Sequence, residues 1–388
     1  MRVNPFFEAV DNLFLKALPY YREMKRVDHL SYEEKRSLQL HKLRNVCGSF
    51  GLNMDSWRDF RRLPVKAKNE LRGYVPVAKN FKAMQTSGST GEPFKFAMPR
   101  NEVAINIATG FRNLEWLGWT NQKVITLTPG HPPVSSQMYM RLINIVLRNY
   151  RTVNPSYVKL LRAHPYLLRG GTSAIRELTW LAEKQGVSCK NTICVCLGED
   201  PSTHFPYLRS QYRGVFHTYG LGECNNLAFQ CAYHTLHVNM EKCVAEEVGG
   251  EIVVTNLNNT VTPFIRYKTG DQGYVKKANC QCGRETDEIV GLKGKGSDFY
   301  AGQEVKRPLG WWIVSPLGHF YHPFLKRYKV TAWPKQKMLT VYVIPKPNAK
   351  PSNFNSYLQW IHKQTGLTAR IEFTDNIQRS WRLFEVIE

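Results

Sequence analysis

The feature that most constrains the fold is an alternation of short apolar runs and longer amphipathic segments between residues 101 and 223. Residues 101–118 have the apolar spacing of a helix, and residues 173–186 form a second helical segment that ends at a glycine. The runs typical of buried strands are "KVITLTPG", "HPYLLRGG", "TICVCLGE" and "VFHTYGLGE". Strands that alternate with helices in this way predict an α/β domain with a largely parallel sheet.

The pattern changes on both sides of this region. Residues 1–80 have mostly helical periodicity, with Ser31 as a helix N-cap. From about residue 250 several strand patterns follow one another, which predicts a β-rich subdomain attached to the α/β core. The last part of the chain reads as two strands, a helix and a strand, a small α+β unit. We therefore expect a large domain over residues 1–298 and a small C-terminal domain over residues 299–388.

One loop, "QTSGSTGEPFK" at residues 85–95, is too small and polar to build a core. Its central residues are Thr86, Ser87, Gly88, Ser89, Thr90 and Gly91. Glycines allow backbone N–H groups to turn into one concavity, and hydroxyl groups add donors, so such a loop suits phosphate oxygens. It lacks the G-x-x-x-x-G-K-[ST] spacing of a Walker loop. The alternative is a flexible linker, but the loop is short and lies between structured segments.

Net charge and cysteine content indicate which partners and which cellular compartment suit the protein. The chain has 53 Lys and Arg against 31 Asp and Glu, a net charge of +22. This charge favours polyanionic partners such as nucleic acid or phosphorylated cofactors, or else reflects a general basic bias. No apolar run reaches the ~18 residues of a membrane span, and charged residues interrupt the N-terminus where a signal peptide would be apolar. Nine irregularly spaced cysteines indicate a reducing compartment, so we expect a cytoplasmic protein.

Several motifs follow one another in an order that carries a family resemblance. They are "TSGSTGEP" at 86–93, "LGE" at 197–199, "YGLGE" at 219–223, "IRYKTGDQG" at 265–273 and "CQCGRETDEIVGLKGKGSD" at 280–298. Together they resemble the adenylate-forming superfamily, which includes acyl-CoA synthetases and firefly luciferase. The Cys-x-Cys-Gly-Arg segment resembles the phenylacetate–CoA ligase branch in particular.

The resemblance implies a role for each matching position. The loop at 86–91 would hold the β- and γ-phosphates of ATP while a carboxylate attacks the α-phosphate. Glu223 would help to hold Mg²⁺, which neutralises the leaving pyrophosphate. Tyr219 and Gly220 would lie against the adenine, and Asp271 would accept hydrogen bonds from the ribose hydroxyls.

Two of the matching carboxylates have structural alternatives. Asp271 lies between Gly270 and Gly273, and Gly-Asp pairs are typical of turns. The "RYKTG" sequence ahead of it favours the ribose role. Glu199, in "LGE", either belongs to the nucleotide site or caps a surface helix, and both interpretations stay open.

A second group of residues suggests a metal site. Its members are Cys231, His237, Cys280 and Cys282. Three thiolates and an imidazole suit tetrahedral zinc, although C-x-C is tighter than the usual zinc spacing. Similar members of the phenylacetate–CoA ligase branch carry a structural zinc, so the resemblance implies one here. His234 and Cys224 remain alternative ligands, and four unconnected core or loop residues are the alternative to a metal.

The chain departs from the family pattern at two places. "GKGSD" puts Lys295 where an arginine is usual, ahead of Asp298, the expected hinge; lysine keeps the charge but loses the planar fork. The family typically ends in Ser-Gly-Lys, whose lysine bridges the carboxylate and the α-phosphate, whereas this chain ends in "NIQRSWRLFEVIE". If Ser380 matches that serine, Arg382 takes the place of the lysine, with Arg379 as an alternative. A guanidinium there would stabilise the developing phosphoryl charge.

We predict an AMP-forming carboxylate ligase that converts an acid and ATP into an acyl-adenylate and pyrophosphate, then passes the acyl group to a thiol or amine. The resemblance implies that the acceptor is coenzyme A, which is common in the superfamily. The acid would lie between residues 101–130 and the strands of 197–223, with Trp116 and Trp119 as wall residues or as a packed helix face. Two alternatives remain. One is a degenerate relative that binds nucleotide or polyanion without adenylation, and the other is an adenylating enzyme with a nucleic-acid acceptor.

Overall fold

The computed structural model describes residues 16–74, 76, 81–85, 94–127, 150–153, 158–198, 205–293, 317, 324–333, 336–377 and 384–386. They form two compact units, one within residues 16–293 and the other within 317–386. None of the helices in these ranges is both long and apolar enough to cross a membrane. The predicted domain boundary at Asp298 lies outside the described residues and stays a prediction.

The larger unit begins with helices, as the periodicity predicts. They are α1 (Ala17–Asp28), α2 (Tyr32–Gly48) and α3 (Trp57–Arg62). Ser31 is the N-cap of α2: its hydroxyl accepts from the Glu34 N–H at 3.3 Å, and the Glu34 carboxylate accepts from the Ser31 N–H at 2.8 Å. This capping box satisfies two N–H groups that the helix itself leaves without partners. It therefore fixes where α2 begins.

A sheet of eleven strands forms the centre of the larger unit. In chain order they are β3 (Val124–Leu127), β4 (Tyr150–Val153), β5 (Leu167–Gly171), β6 (Ile193–Leu197), β7 (Gly214–Tyr219), β8 (Ala228–Gln230), β9 (Leu236–Val238), β10 (Cys243–Val248), β11 (Glu251–Asn256), β12 (Tyr267–Lys277) and β13 (Asp287–Lys293). Their order across the sheet is β10-β11-β12-β13-β9-β8-β7-β6-β5-β3-β4. A separate hairpin pairs β1 (Phe81–Gln85) with β2 (Lys95–Pro99).

One half of the sheet is parallel, as predicted. It runs from β4 through β3, β5 and β6 to β7. Helix α4 (Glu102–Glu115) covers one face, and helices α5 (Thr172–Lys184) and α6 (Phe205–Gln211) cover the other. Because both faces are covered in the centre of this half, β3 and β6 are mostly apolar. Cys194 and Cys196 of β6 are fully buried thiols beside α5.

The other half of the sheet is antiparallel. Strands β8 to β13 continue the sheet from β7 with antiparallel pairing at every step. The region predicted as an attached β-rich subdomain is therefore an extension of the central sheet. Its buried side packs Phe94, Tyr219, Phe264 and Tyr267 among aliphatic residues.

The smaller unit is an α+β structure, as predicted. Its strands are β14 (Leu325–Trp333), β15 (Met338–Pro345), β16 (Thr368–Phe373) and β17 (Phe384–Val386), in the order β16-β15-β14-β17. Helix α7 (Asn355–Thr365) covers the sheet and contributes Tyr357 and Ile361 to its core. The helix ends at Gly366, whose φ of 71° is a left-handed conformation that suits glycine.

Candidate functional site

Part of the predicted nucleotide site lies in the described chain. Tyr219, Gly220, Glu223 and Asp271 belong to it, and all four lie in the larger unit. The remaining predicted positions lie outside the described residues: Thr86, Ser87, Gly88, Ser89, Thr90, Gly91, Glu199, Lys295, Asp298 and Arg382. The described part of the site is therefore formed by the "YGLGE" and "RYKTGD" segments.

The first contact between these segments joins Tyr219 to Asp271. The Tyr219 hydroxyl donates to Asp271 Oδ2 at 2.7 Å, and each residue is 8% exposed. Burial, followed by the charge of Asp271, raises the pKa of the Tyr219 hydroxyl well above its usual value. The hydroxyl therefore stays protonated at neutral pH and fixes the orientation of the carboxylate.

Asp271 lies within a strand, so its alternative interpretation as a turn residue is wrong. It is the fifth residue of β12, and the ladder with β13 continues beyond it to Lys277. Gly270 has a φ of 83°, which glycine adopts without strain. The pairing of β12 shifts register against both neighbours close to this point. Such irregularities re-aim a side chain without ending a strand, which explains why a Gly-Asp pair is found here.

The second contact joins Tyr267 to Glu223. The Tyr267 hydroxyl donates to Glu223 Oε1 at 2.9 Å, and Lys68 Nζ lies 3.7 Å from the same oxygen. Burial, followed by the charge of Glu223, raises the pKa of Tyr267. Tyr267 and Asp271 are four residues apart on one strand and therefore lie on the same face. Strand β12 thus positions both candidate carboxylates: it carries Asp271 itself, and its Tyr267 holds Glu223.

The loop after β7 is held by buried side chains that donate to its carbonyl oxygens. Asn256 Nδ2 donates to the Glu223 carbonyl at 2.9 Å, Lys242 Nζ to the Asn225 carbonyl at 2.7 Å, and Asn239 Nδ2 to the Asn226 carbonyl at 2.6 Å. Each donor is at most 1% exposed. These bonds make the backbone that carries Glu223 rigid. The sequence motifs gave no sign of these donors, because all three follow the loop in the chain and none belongs to a motif.

Gly220 is required by the packing of the same loop. A Cβ atom at this position would lie 2.8 Å from the Asn226 backbone nitrogen, closer than real Cβ contacts allow. The obstacle is backbone and cannot rotate away. The glycine predicted to lie against the adenine is therefore also a structural requirement of the loop.

A buried network of charges lies beside the loop. Lys242 and Glu102 are both 0% exposed, with Nζ 3.9 Å from Oε1. Lys242 also donates to Asn106 of α4, and Arg112 of the same helix bonds Glu241. Buried charges are tolerated when opposite charges and hydrogen bonds accompany them. The network therefore links α4 to the turn at residues 239–242 and to the loop that carries Glu223.

The four predicted zinc ligands come together. One ligand atom from each of Cys231, His237, Cys280 and Cys282 lies within 4.8 Å of the others. The Cys231 and Cys280 sulfurs are 3.6 Å apart, and the Cys282 sulfur is 3.2 Å from His237 Nε2. Zn–S bonds of about 2.3 Å in a tetrahedron place two sulfurs about 3.8 Å apart. The separations therefore suit a four-coordinate zinc ion.

Surrounding residues orient the His237 imidazole and keep it neutral, as a zinc ligand requires. Its Nδ1 lies 2.7 Å from Thr286 Oγ1, which leaves Nε2 facing the sulfurs. Burial, followed by the charges of Arg284 and Lys35, lowers the pKa of His237 to about 4, so the imidazole is neutral. The alternative ligands are not in the cluster. His234 stacks on Phe216 with ring centroids 4.8 Å apart.

The two tryptophans considered as wall residues are packed. Trp116 is 6% exposed, and the guanidinium groups of Arg112 and Arg284 lie 4.5 and 4.6 Å from the centre of its ring. Trp119 stacks on Phe111 with centroids 5.7 Å apart. These contacts agree with the packed helix face rather than with an open wall.

Comparison with known proteins gives a match in structure. No protein-family model matches the chain, and no curated protein matches its sequence. The structure is similar to 2-hydroxyisobutyryl-CoA ligase in the postadenylation state with 2-HIB-AMP, at a TM-score of 0.60 and 17% identity over 94% of this chain and 91% of that one. The same ligase with 2-HIB-AMP and CoA in the thioesterification state gives a TM-score of 0.59 and 17% identity over 93% and 90%. The chain therefore has the fold of 2-hydroxyisobutyryl-CoA ligase, so the fold expected from the resemblance of its motifs is confirmed.

Proposed function

We propose that this protein activates a carboxylic acid with ATP to an acyl-adenylate and pyrophosphate, and then transfers the acyl group to an acceptor. The observation that carries the proposal is the pair of tyrosine–carboxylate contacts, Tyr219 with Asp271 and Tyr267 with Glu223. They join the two motifs expected to bind the nucleotide, in a fold whose solved examples hold an acyl-adenylate.

In the proposed reaction a carboxylate oxygen of the acid attacks the α-phosphorus of ATP, and the bond to pyrophosphate breaks. Asp271, oriented by Tyr219, accepts hydrogen bonds from the ribose hydroxyls, and Tyr219 with Gly220 lies against the adenine. Glu223 is a buried carboxylate on a rigid loop, which suits Mg²⁺ because this ion prefers oxygen ligands. When bound, Mg²⁺ supplies positive charge that stabilises the leaving pyrophosphate.

The remaining roles rest on the motifs. We propose that the loop at 86–91 binds the β- and γ-phosphates, that Glu199 and Lys295 complete the nucleotide site, and that Arg382 stabilises charge at the α-phosphate. Asp298 is the proposed hinge between a domain of residues 1–298 and a mobile domain of residues 299–388. Cys-x-Cys-Gly-Arg supports the phenylacetate–CoA ligase-like subtype.

We propose a thiol, with coenzyme A as the leading candidate, as the acyl acceptor. The support is that 2-hydroxyisobutyryl-CoA ligase, which shares the fold at 17% identity, has been solved with CoA. An amine is the alternative acceptor. Nucleic acid is supported only by the net charge of +22, so we do not propose it.

We also propose that Cys231, His237, Cys280 and Cys282 bind a structural Zn²⁺. The ligand atoms fit its bond lengths, and Thr286 orients His237. Four protein ligands leave no open coordination position, so the ion would stabilise the fold rather than take part in catalysis. None of the nine cysteines forms a disulfide, which supports a reducing, cytoplasmic setting.

Exchange of labelled pyrophosphate into ATP, measured with a panel of aryl, aliphatic, hydroxy, dicarboxylic and amino acids, tests the proposal. We expect exchange that depends on both the acid and Mg²⁺. If folded, purified protein gives no exchange with any acid while still binding ATP, the degenerate nucleotide-binding relative is the better description.

A further inference from the structure

Arg169 lies in the layer between helix α4 and the parallel strands. It is the third residue of β5, in register with Val195 of β6. Val195 is fully buried in the apolar cluster that includes Leu114 of α4. Residues in register on neighbouring strands share a face of the sheet, so Arg169 also lies on the face that α4 covers. A guanidinium is unusual in this otherwise apolar layer.

No described residue provides a counter-charge for Arg169. Its Nε atom is buried and has no hydrogen-bond partner among the described residues. The ion pairs found in the described part of the chain involve other arginines, such as Arg112 with Glu241 and Arg266 with Glu246. Arg169 is partly exposed, but a buried N–H donor such as its Nε rarely lacks a partner. This donor is available to an anion from outside the chain.

The Arg169 guanidinium faces a glycine of α4. Gly110 lies in the middle of α4, and a Cβ atom there would meet only Arg169 Nη1, at 4.0 Å. Gly110 and Asn106, one turn earlier, keep partial exposure. Glycine is the least favourable residue for a helix interior apart from proline. Its presence opposite the partly exposed Arg169 keeps side-chain atoms of α4 away from the guanidinium.

Asn113 supplies a second set of unsatisfied polar atoms. It lies one turn beyond Gly110 on the same side of α4, because residues three apart share a helix face. It is 1% exposed, and neither its amide nitrogen nor its amide oxygen has a partner among the described residues. Buried polar groups are nearly always hydrogen-bonded. Asn106, Gly110, Asn113 and Arg169 thus define a polar recess, here called the α4 recess.

The α4 recess adjoins the candidate nucleotide site. The Asn106 carbonyl accepts from Asn226, in the loop that follows Glu223, at 3.0 Å. Arg169 and Val195 share their row of the sheet with Phe216, which precedes Tyr219 by three residues, roughly 10 Å of strand. A short molecule could therefore have one end near the Tyr219–Glu223 loop and the other end near Arg169. Ligands of parallel sheets bind beyond the carboxyl ends of the strands, which is the side of that loop.

We infer that the α4 recess binds the far end of the acid substrate, and that this end carries a second anionic group. The inference rests on the proposed function and names its substrate class: a short acid with two anionic groups, such as a dicarboxylate. The second group accepts hydrogen bonds from the Arg169 guanidinium, which matches the geometry of a carboxylate or phosphonate. The Asn113 amide adds one donor and one acceptor.

Calorimetric titration of the full-length protein tests the inference without requiring turnover. The probes are succinate, glutarate and 3-phosphonopropionate, with butyrate and valerate as matched acids that lack the second charge. We expect the dianionic probes to bind on the order of tenfold more tightly or better, and Arg169→Gln to remove this preference. The phosphonate arm tells whether the recess prefers a carboxylate or a larger anion. Equal binding of succinate and butyrate by the wild-type protein would overturn the inference.

Gly110→Ala separates recognition from folding. The added methyl group lies 4.0 Å from Arg169 Nη1 and crowds an anion bound to it, so affinity for the dianions falls, while the helix becomes no less stable because alanine favours it. Gly48→Ala is the control, since a Cβ at this last residue of α2 meets nothing within 4 Å. It should leave affinity unchanged. A Gly110→Ala variant that binds succinate as the wild type does would also count against the inference.

Pyrophosphate exchange with the same probes distinguishes this inference from the proposed function. Selective, Arg169-dependent binding of dianions, with no exchange for these probes or for any acid of the broad panel, would refute the proposed ligase activity and leave the α4 recess as an anion site. Exchange that proceeds equally well with butyrate and succinate, and is unchanged in Arg169→Gln, would support the ligase activity and refute the substrate class.

Discussion

At the scale of single residues, two tyrosine hydroxyls determine how the candidate carboxylates are presented. Tyr219 holds Asp271, and Tyr267 holds Glu223. The motifs predicted both carboxylates but not their partners. Strands β7 and β12 are not neighbours in the sheet, so no local pattern indicates that their side chains meet. The sequence could have predicted only that Tyr267 and Asp271 lie on the same face of their strand, because side chains of a strand alternate between the two faces.

Removal of either carboxylate should abolish pyrophosphate exchange without unfolding the protein. Asp271→Ala removes the acceptor for the ribose hydroxyls, and Glu223→Ala removes the proposed Mg²⁺ ligand. We expect losses on the order of 100-fold or more in kcat/KM, with secondary structure unchanged by circular dichroism. The exposed Asp375 gives a matched control, Asp375→Ala. Exchange that persists in both site variants would refute the assigned roles.

At the scale of elements, the sequence predicted those helices and strands whose formation depends on neighbouring residues in the chain. Ser31 predicted the start of α2, and the apolar runs predicted β5, β6 and β7. The same reasoning allowed a turn at Asp271, because Gly-Asp is a turn signal. Pairing with β11 and β13 on both sides overrides that preference and makes the segment a strand with an irregular register. The strand conformation at Asp271 therefore depends on pairing with strands distant in the chain, which the local sequence does not predict.

The proposed zinc site would anchor one element, the turn between β12 and β13. Cys280 and Cys282 on this turn would be joined through zinc to Cys231 and His237, at β8 and β9. We expect about one zinc per chain, and a chelator should lower the melting temperature. Cys282→Ser should lower both the zinc content and the melting temperature.

A core thiol separates metal binding from general destabilisation. Cys196→Ala removes a fully buried sulfur of β6 that lies outside the cluster. It should lower stability but leave the zinc content, measured by atomic emission, unchanged. A wild-type protein that contains no zinc after expression in zinc-supplemented medium, and gains none on titration, would contradict the metal site.

The loop that carries Glu223 makes a second prediction at this scale. Asn256→Ala removes the donor to the Glu223 carbonyl and leaves that buried oxygen without its hydrogen bond. We expect the KM for ATP to rise several-fold and the Mg²⁺ dependence to shift to higher concentration. Asn258→Ala, at a partly buried neighbour, is the control. Unchanged Mg²⁺ dependence in Asn256→Ala would mean that this bond does not position Glu223.

At the scale of the whole molecule, the mixed eleven-stranded sheet brings the two motifs together. Its parallel half supplies "YGLGE" and its antiparallel half supplies "RYKTGD". The fold class and the α+β character of the C-terminal unit were predictable from the order of the elements. The continuity of the sheet and the α4 recess were not. Both depend on which strands pair and which helix face meets them.

The buried tyrosines predict a loss of stability in alkali. Tyr219 and Tyr267 have pKa values raised by burial, whereas in the unfolded chain they ionise near pH 10. Above this pH the unfolded state releases protons that the folded state keeps, so the free energy of unfolding falls as pH rises. Each tyrosine should contribute about 1.4 kcal/mol per pH unit.

Urea unfolding between pH 8 and 11.5 measures this effect. The decline should be smaller in Tyr219→Phe and in Tyr267→Phe than in the wild type. Tyr274→Phe, at a residue that is 64% exposed, should leave it unchanged. Equal slopes in all four proteins would show that the two hydroxyls do not stay protonated in the folded state.

The central claim is that the acid is activated by attack on the α-phosphate of ATP. The most direct measurement is the fate of ¹⁸O from a labelled carboxylate, with an acid that supports exchange and with coenzyme A as acceptor. Adenylation followed by acyl transfer leaves one carboxylate oxygen on the phosphate of AMP, so mass spectrometry should find ¹⁸O in AMP. Formation of ADP with the label in inorganic phosphate would contradict the account, because it indicates attack on the γ-phosphate.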